Sequence, residues 1–292
     1  MLLSKSSMYC SLTKSNADLS PCYKFLVKNQ RADVLLVGDS ALLYGVKPEI
    51  VERYAHRSSY NYGIVGPVFA FDPEKVINHY LETNARPMAV VVYLSPWDIV
   101  EPGHIDDHVW FPLGLQTMQH GNLADLLRLL RARPLALTEL PQVVVQSVGF
   151  SLGRNDAARR LMEAERGRFN YGATIPAGRR RMDHCALPAG TTKVPDTSAT
   201  GKAMARLKAH YAQRGLPVFF YVAPFAGCGV DEGAVRRAYV GLADNRPTAI
   251  ADGYFPPETA KGPFVHVNDD GVEVVSRMLG QFIADLGVGE RP

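Results

Sequence analysis

Short apolar runs alternate along this chain with segments that repeat at the helical period. The clearest runs are Asp33–Val37, Met88–Leu94 and Pro217–Val222, and weaker ones lie at Ser59–Asn61 and Thr248–Ala251. Continuous apolar runs of this length are typical of strands that are buried on both faces of a parallel sheet. The pattern therefore predicts about five parallel strands.

Helices are predicted between these strands. Pro48–Glu49 suits the first turn of one helix, and in Asp72–Glu74 an aspartate is placed to cap a helix that begins at a proline. Asp269–Asp270 lies at the start of the last helix, where carboxylates can cap amide groups and meet the positive end of the helix dipole. The last helix has the best period, and its apolar positions share one face: Val272, Val275, Met278, Leu279, Phe282, Ile283 and Leu286.

Strands that alternate with helices indicate an α/β fold with helices on both faces of the sheet. We expect a three-layer α/β/α sandwich around a parallel, flavodoxin-like sheet. Residues 1–30 are polar and without period, so we interpret them as an N-terminal arm on a domain that spans residues 31–292. Within that domain, residues 99–200 hold helix-like pieces and loops rich in glycine and proline, which indicates an insertion folded over the sheet as a cap.

Composition narrows the classes of function. The chain has 292 residues, 47% of them hydrophobic, and a formal net charge of +3. That charge is too small to argue for a nucleic-acid partner. No run of about 18 apolar residues is present, so no membrane span is expected. The N-terminus also lacks the apolar stretch of an export signal, and we expect neither a cofactor nor a metal.

The candidate chemistry centres on a serine and a histidine. Ser40 follows the first predicted strand and opens a helix, at the sheet edge where open α/β folds bind ligands. Its hydroxyl needs a base to become a nucleophile. His266, in the loop before the last helix, is the best candidate because the chain topology can bring that loop to the same edge.

At these residues the sequence resembles the SGNH (GDSL-type) hydrolase superfamily. Its blocks correspond to Val37–Ser40 with Gly45 five residues on, to Tyr60–Gly66, and to His266–Gly271. The resemblance implies an SGNH-like fold and an oxyanion hole formed by the amides of Ser40 and Gly66.

Two departures from the family pattern stand out. The third block reads Ser95-Pro96-Trp97-Asp98, so Trp97 replaces the asparagine that completes the oxyanion hole. The position of the family's triad aspartate, three residues before the histidine, holds Pro263. Our first candidate for the missing acid is Asp252, after the weak last strand. The second is a serine–histidine dyad oriented by a backbone carbonyl.

The resemblance implies an ester hydrolase or O-acyltransferase that acts through a Ser40 acyl-enzyme on an acetyl-type ester, with a carbohydrate as the expected carrier. Expected substrate contacts are Asp39, Asn61, Trp97 and Asp98. The Ser-Pro-Trp-Asp variant and the capped middle are similar to envelope proteins that move acyl groups onto cell-surface polymers, such as the polysaccharide O-acetylation proteins and the D-alanine transfer protein. This similarity implies an association with such machinery and an envelope location, whereas the N-terminus gives no export signal.

Four alternatives remain open. Gly149–Gly153 matches the G-x-S-x-G elbow of α/β-hydrolases, with Ser151 as nucleophile. The missing block residues also suit a degenerate member that binds a carbohydrate or a partner without turnover. The segment His104–His108 carries side chains that could bind a metal ion. We interpret it as a loop at the substrate entrance, with a metal site as the alternative.

An arginine-rich region is interpreted as a solvated face, and a groove for an anionic polymer is the alternative. Its residues are Arg159, Arg160, Arg166, Arg168, Arg179, Arg180 and Arg181.

Overall fold

The computed structural model describes residues 24, 27–64, 73–96, 127, 163–168, 198–227, 232–255 and 266–288. The strands are β1 (Val34–Gly38), β2 (Ser59–Gly63), β3 (Ala89–Leu94), β4 (Val218–Val222), β5 (Phe225–Ala226) and β6 (Ala249–Ile250). The helices are α1 (Ser40–Gly45), α2 (Pro48–Ala55), α3 (Pro73–Thr83), α4 (Ser198–Ala212), α5 (Glu232–Tyr239) and α6 (Asp269–Asp285), and a short 3₁₀ turn covers Asp252–Tyr254.

A parallel sheet organises these elements. Four strands pair in the order β2-β1-β3-β4, with every neighbouring pair parallel. All side chains of β1 and β3 are buried, as their continuous apolar sequences predict. The α/β class and the parallel sheet are therefore confirmed, and the order places β1 where the sheet changes its direction of growth.

One row of residues across the sheet explains why α1 lies so close to the strands. Gly63, Gly38, Tyr93 and Tyr221 are register partners on neighbouring strands. A Cβ atom at Gly63 would stand 2.6 Å from the backbone nitrogen of Leu43 in α1. The two glycines therefore create the space for α1, and the two tyrosines, whose rings stack at 5.5 Å, fill the other half of the row.

The fifth predicted strand does not join the main sheet at the outer edge of β4. The strand predicted at Thr248–Ala251 forms as β6, but it pairs with β5 in a separate two-stranded sheet. The carboxylate of Asp244 accepts from the Phe220 amide at 2.7 Å, and the Asn245 side chain bonds the amide and the carbonyl of Val222 at 2.7 and 3.0 Å. These side chains occupy hydrogen-bonding positions that a fifth strand would use.

Helix α6 begins three residues after His266 and packs against α2. A Cβ atom at Gly280 would lie 2.7 Å from the Val51 carbonyl oxygen, so the two helices are in close contact there. Asn268, not Asp269 or Asp270, is the N-cap, and its side-chain oxygen accepts from the Gly271 amide at 2.9 Å. The two aspartates lie in the first turn, because a capping side chain must precede the first helical residue.

The predicted cap lies mostly outside the described residues. Its segment 163–168 is described, and it borders the free edge of β2, where the Asn61 amide donates to the Arg166 carbonyl at 3.0 Å. The segment thus covers part of the edge of β2, which is one way that proteins protect an edge strand. Among the described residues, no helix has the length and apolar character needed to cross a bilayer.

Candidate active site

The helix α1 positions Ser40 at the carboxyl edge of the sheet. Asp39 is the N-cap, and its carboxylate accepts from the amides of Ala41 and Leu42 at 2.8 and 3.4 Å. Ser40 is therefore the first helical residue, and its amide has no partner within the helix because first-turn amides never do. Ser40 thus carries both a partly exposed hydroxyl and a backbone amide at the start of a helix.

The structure brings Ser40 and His266 together. The imidazole Nε2 of His266 lies 2.8 Å from the Ser40 hydroxyl oxygen, although the residues are 226 positions apart in the chain. This distance is within the range expected of a nucleophile and its general base. The juxtaposition predicted from chain topology is present.

The surroundings of His266 favour its neutral form. Burial lowers the pKa of the imidazole to about 4, from an ordinary value of 6.5. The ring of Tyr44 packs edge-on against the imidazole, with ring centroids 5.6 Å apart. A neutral imidazole with its proton on Nδ1 can accept the Ser40 proton at Nε2 over most of the pH range.

The loop that carries His266 is fixed through Asn268. The Asn268 side chain donates to the Gly253 carbonyl at 2.8 Å, and its amide donates to the Tyr254 carbonyl at 2.9 Å. These bonds join the loop to the 3₁₀ turn that contains Asp252. Within the described residues, the hydrogen bonds of His266 comprise the one to Ser40. Asp252 as the triad acid stays a prediction.

The carboxyl group of Asp39 is enclosed beneath Ser40. Burial raises its pKa to about 6, against the opposing effect of hydrogen bonds from the Ser95 hydroxyl and from the amides of Ala41 and Leu42. Ser95 begins the third sequence block and follows β3 directly. The Asp39–Ser95 bond therefore joins the segment that carries the nucleophile to the neighbouring strand.

Asn61, predicted as a substrate contact, is placed in the core. It has no exposed surface, and its side-chain nitrogen donates to the carbonyls of Leu42 and Val46 at 2.8 and 2.9 Å. Its side-chain oxygen accepts from the Gly63 amide at 2.9 Å. In this structure the side-chain amide of Asn61 joins the end of α1 to β2 through hydrogen bonds.

Several predicted site residues lie outside the described part of the chain. They are Gly66, Trp97, Asp98, Pro263, Ser151 and the segment His104–His108. Of the two residues predicted to form an oxyanion hole, the structure therefore describes Ser40, and the Ser151 alternative stays a prediction. Within the described ranges, no group of three or more His, Cys, Asp or Glu residues is arranged to hold a metal ion.

Three residues near the site were not predicted from the sequence. Tyr44 lies one helical turn after Ser40, a spacing that places both on one face of α1. Ser95 is the first residue of the third block, and a hydroxyl at the end of the strand beside β1 could have suggested a contact with Asp39. Arg168 was predicted to belong to a solvated face, but it is buried and donates to the Tyr44 carbonyl at 3.0 Å. It carries no local signal that distinguishes it from the other arginines around it.

Comparisons with protein-family models, with curated proteins and with solved structures find no match for this chain.

Proposed function

We propose that this chain is a serine ester hydrolase or O-acyltransferase of the SGNH type. The observation that carries the proposal is the 2.8 Å contact between the Ser40 hydroxyl and Nε2 of a desolvated, neutral histidine. A serine hydroxyl within hydrogen-bond reach of a neutral imidazole is the arrangement that acyl-transfer sites use to activate the nucleophile.

The chemistry follows from these two groups. The Ser40 oxygen attacks the ester carbonyl carbon while its proton moves to Nε2 of His266. The bond to the leaving alcohol then breaks, and that alcohol takes the proton from His266, which leaves an acyl-serine. Water or a sugar hydroxyl repeats the sequence in the second half-reaction, with His266 again taking and returning one proton.

The developing negative charge needs donors at the sheet edge. The Ser40 amide, unpartnered within its helix, is the first, and we propose the amide of Gly66 as the second. Trp97 replaces the family's asparagine donor, and the loss of one such donor typically costs about 2.7–4 kcal/mol of transition-state stabilisation. We therefore expect turnover to be slow, with Trp97 and Asp98 contacting the substrate.

The finer architecture belongs to the same proposal. The strand order β2-β1-β3-β4 equals the first four positions of the flavodoxin-like order. We propose a three-layer sandwich around the four-stranded sheet, which the separate β5–β6 pair follows, and in which residues 99–200 cover the site. The proposed substrate is an acetyl-type ester on a carbohydrate, with envelope acyl-transfer machinery as the proposed setting.

Site mapping with a fluorophosphonate probe tests the proposal. The purified chain is treated with the probe, and the modified peptide is identified by mass spectrometry in the wild type, Ser40→Ala and Ser151→Ala. We expect modification at Ser40 that persists in Ser151→Ala and is lost in Ser40→Ala. Modification that survives Ser40→Ala and disappears in Ser151→Ala would instead establish the α/β-hydrolase alternative.

A second candidate is a non-catalytic binding protein. It is favoured by one observation: within the described residues, no carboxylate hydrogen-bonds the imidazole of His266. Release of p-nitrophenol from its acetate ester separates the two candidates. Turnover that depends on Ser40 supports the enzyme, whereas absence of both turnover and serine labelling supports the binding protein.

A further inference from the structure

A short segment of the inserted region reaches the helix that carries Ser40. Arg168 is 5% exposed, and its guanidinium donates through Nε to the carbonyl of Tyr44 at 3.0 Å. The same guanidinium pairs with the carboxylate of Glu165 at 3.2 Å, so a buried positive charge is matched by a nearby negative one. A buried arginine that is paired in this way holds a fixed geometry, because its planar donors point in set directions.

The contact between Arg168 and Tyr44 lies at the C-terminal end of α1. Tyr44 is the fifth of the six residues of this helix, where carbonyl groups lack intrahelical partners and the dipole is negative. An arginine donor there satisfies an orphan carbonyl and matches the dipole. The side chain of the same residue packs edge-on against the imidazole of His266.

The segment that carries Arg168 is itself anchored. The Asn61 amide donates to the Arg166 carbonyl at 3.0 Å, and the Lys24 ammonium donates to the carbonyls of Asn61 and Gly167. Asn61 in turn bonds Leu42 in α1. The segment 163–168 is therefore joined both to the edge strand β2 and to the end of α1.

We propose that Arg168 is a positioning residue, which holds Tyr44 so that its ring keeps the imidazole of His266 in register with the Ser40 hydroxyl. This inference rests on the proposed function for its catalytic consequence. It also gives the inserted region a role beyond covering the sheet: a displacement of segment 163–168 would loosen the nucleophile–base pair without contact with the substrate.

The test compares two arginines of the same segment. Arg168→Met keeps the length of the side chain and removes its donors, whereas Arg166→Met removes an ion pair with Glu52 in which both side chains are about 40% exposed. We expect Arg168→Met to slow phosphonylation of Ser40 about ten- to hundredfold, because a small misplacement of reacting groups has effects of that size. Arg166→Met should stay within about twofold of the wild type, since exposed ion pairs contribute little.

Further readouts separate positioning from loss of folding. For a small ester, Arg168→Met should lower kcat and leave KM unchanged, and Arg168→Lys should recover part of the rate because it keeps a charged donor. Tyr44→Leu combined with Arg168→Met should be no slower than the slower single variant, since both act on one contact. Where Arg168→Met does not fold, Glu165→Gln tests the same contact by removing the negative charge that pairs with the guanidinium.

NMR titration of the His266 imidazole gives a readout that needs no activity. In Arg168→Met its pKa should move upward from about 4 towards 6.5, because a loosened ring admits water. If the wild type is not phosphonylated, the proposed function fails, and this titration alone decides the positioning role. An unchanged imidazole pKa together with an unchanged rate in folded Arg168→Met would overturn the inference.

Discussion

The segment that carries Ser40 and the segment that carries His266 are fixed by different means. Around Ser40, the carboxylate of Asp39 and the amide of Asn61 hydrogen-bond the backbone of α1, and glycines in the strands let the helix approach closely. On the other side, the described contacts of the imidazole are one hydrogen bond and one aromatic ring. The nucleophile is thus built into the sheet edge, whereas the base depends on its loop.

This difference indicates where the site is rigid and where it can be adjusted. Hydrogen bonds from buried side chains to backbone groups fix the position of α1, because such bonds form only within narrow ranges of distance and angle. The position of His266 depends on the cap of α6 and on the Tyr44 ring, which a few substitutions can disturb. The following predictions test the two sides separately.

The largest effect is expected from removal of the base. His266→Ala should slow phosphonylation of Ser40 by about 10²–10⁴-fold, the usual contribution of a general base. Glu273→Ala, an exposed position on α6, is the matched control and should react at the wild-type rate. Equal rates for both variants, measured by intact-mass kinetics, would show that His266 does not activate Ser40.

The next largest effect concerns the glycine row beneath α1. Gly63→Ala would place a Cβ atom 2.6 Å from the Leu43 backbone nitrogen, and overpacking of this kind costs about 1–3 kcal/mol of unfolding free energy. Gly253→Ala is the control, because no atom lies within 4 Å of its added Cβ. Urea unfolding should show a lowered midpoint for Gly63→Ala and a wild-type midpoint for Gly253→Ala. Similar midpoints for the two variants would contradict the close packing of α1 on the sheet.

The fold and the site could be predicted from the sequence to different degrees. The strands β1, β3 and β4 are continuous apolar runs, and runs of that kind are interpretable without knowledge of their neighbours. The pairing of β6 was not predictable, because Asp244 and Asn245 satisfy the edge of β4 with side chains, a substitution that leaves no periodic pattern.

Within the site, Ser40 and His266 were predictable because a parallel fold brings strand ends to one edge. Asn61 is the opposite case. A polar residue in a motif suggested a contact with the ligand, but its side chain is buried because it hydrogen-bonds carbonyl groups at the end of α1. The local sequence around Asn61 gives no sign of those partners. The contact between Arg168 and Tyr44 joins segments 124 positions apart, and no local rule selects one arginine among several.

The cap of α6 should produce a moderate effect on the base side. Asn268→Ala removes both the cap of the Gly271 amide and the bond to the Gly253 carbonyl, and we expect a loss of about 1–2 kcal/mol of stability. Asn268→Asp keeps the capping oxygen and loses the donor to Gly253. Because the second carboxylate oxygen then faces the Gly253 carbonyl in a buried site, the stability of this variant should fall below the wild type although the cap is kept. Its phosphonylation should also slow, and a wild-type rate would show that the bond to Gly253 has no catalytic consequence.

The smallest effect in the wild type comes from two pH dependences that oppose each other over nearly the same pH interval, so that they largely cancel. Because His266 has a folded-state pKa of about 4 instead of 6.5, the unfolded state binds its proton first and stability is lost on acidification. Asp39, with a pKa raised to about 6, takes its proton first in the folded state, so its stability contribution is lost as the pH rises between about 4 and 6.

Urea unfolding at several pH values measures both terms. Relative to the wild type, His266→Phe should gain stability as the pH falls from about 6 to about 4, and Asp39→Asn should lose stability over the same interval. Gly253→Ala supplies the reference curve without a titrating group. Curves for all the variants that run parallel to the wild type would contradict the burial assigned to the two groups.

The pH dependence of Ser40 phosphonylation tests the nucleophile–base pair most directly. If a partly buried, neutral His266 takes the Ser40 proton, the rate should stay constant on acidification and fall by half only near pH 4, where the imidazole becomes charged. A rate that halves near 6.5, the ordinary value for an exposed imidazole, or a rate that is the same in His266→Ala, would contradict the account.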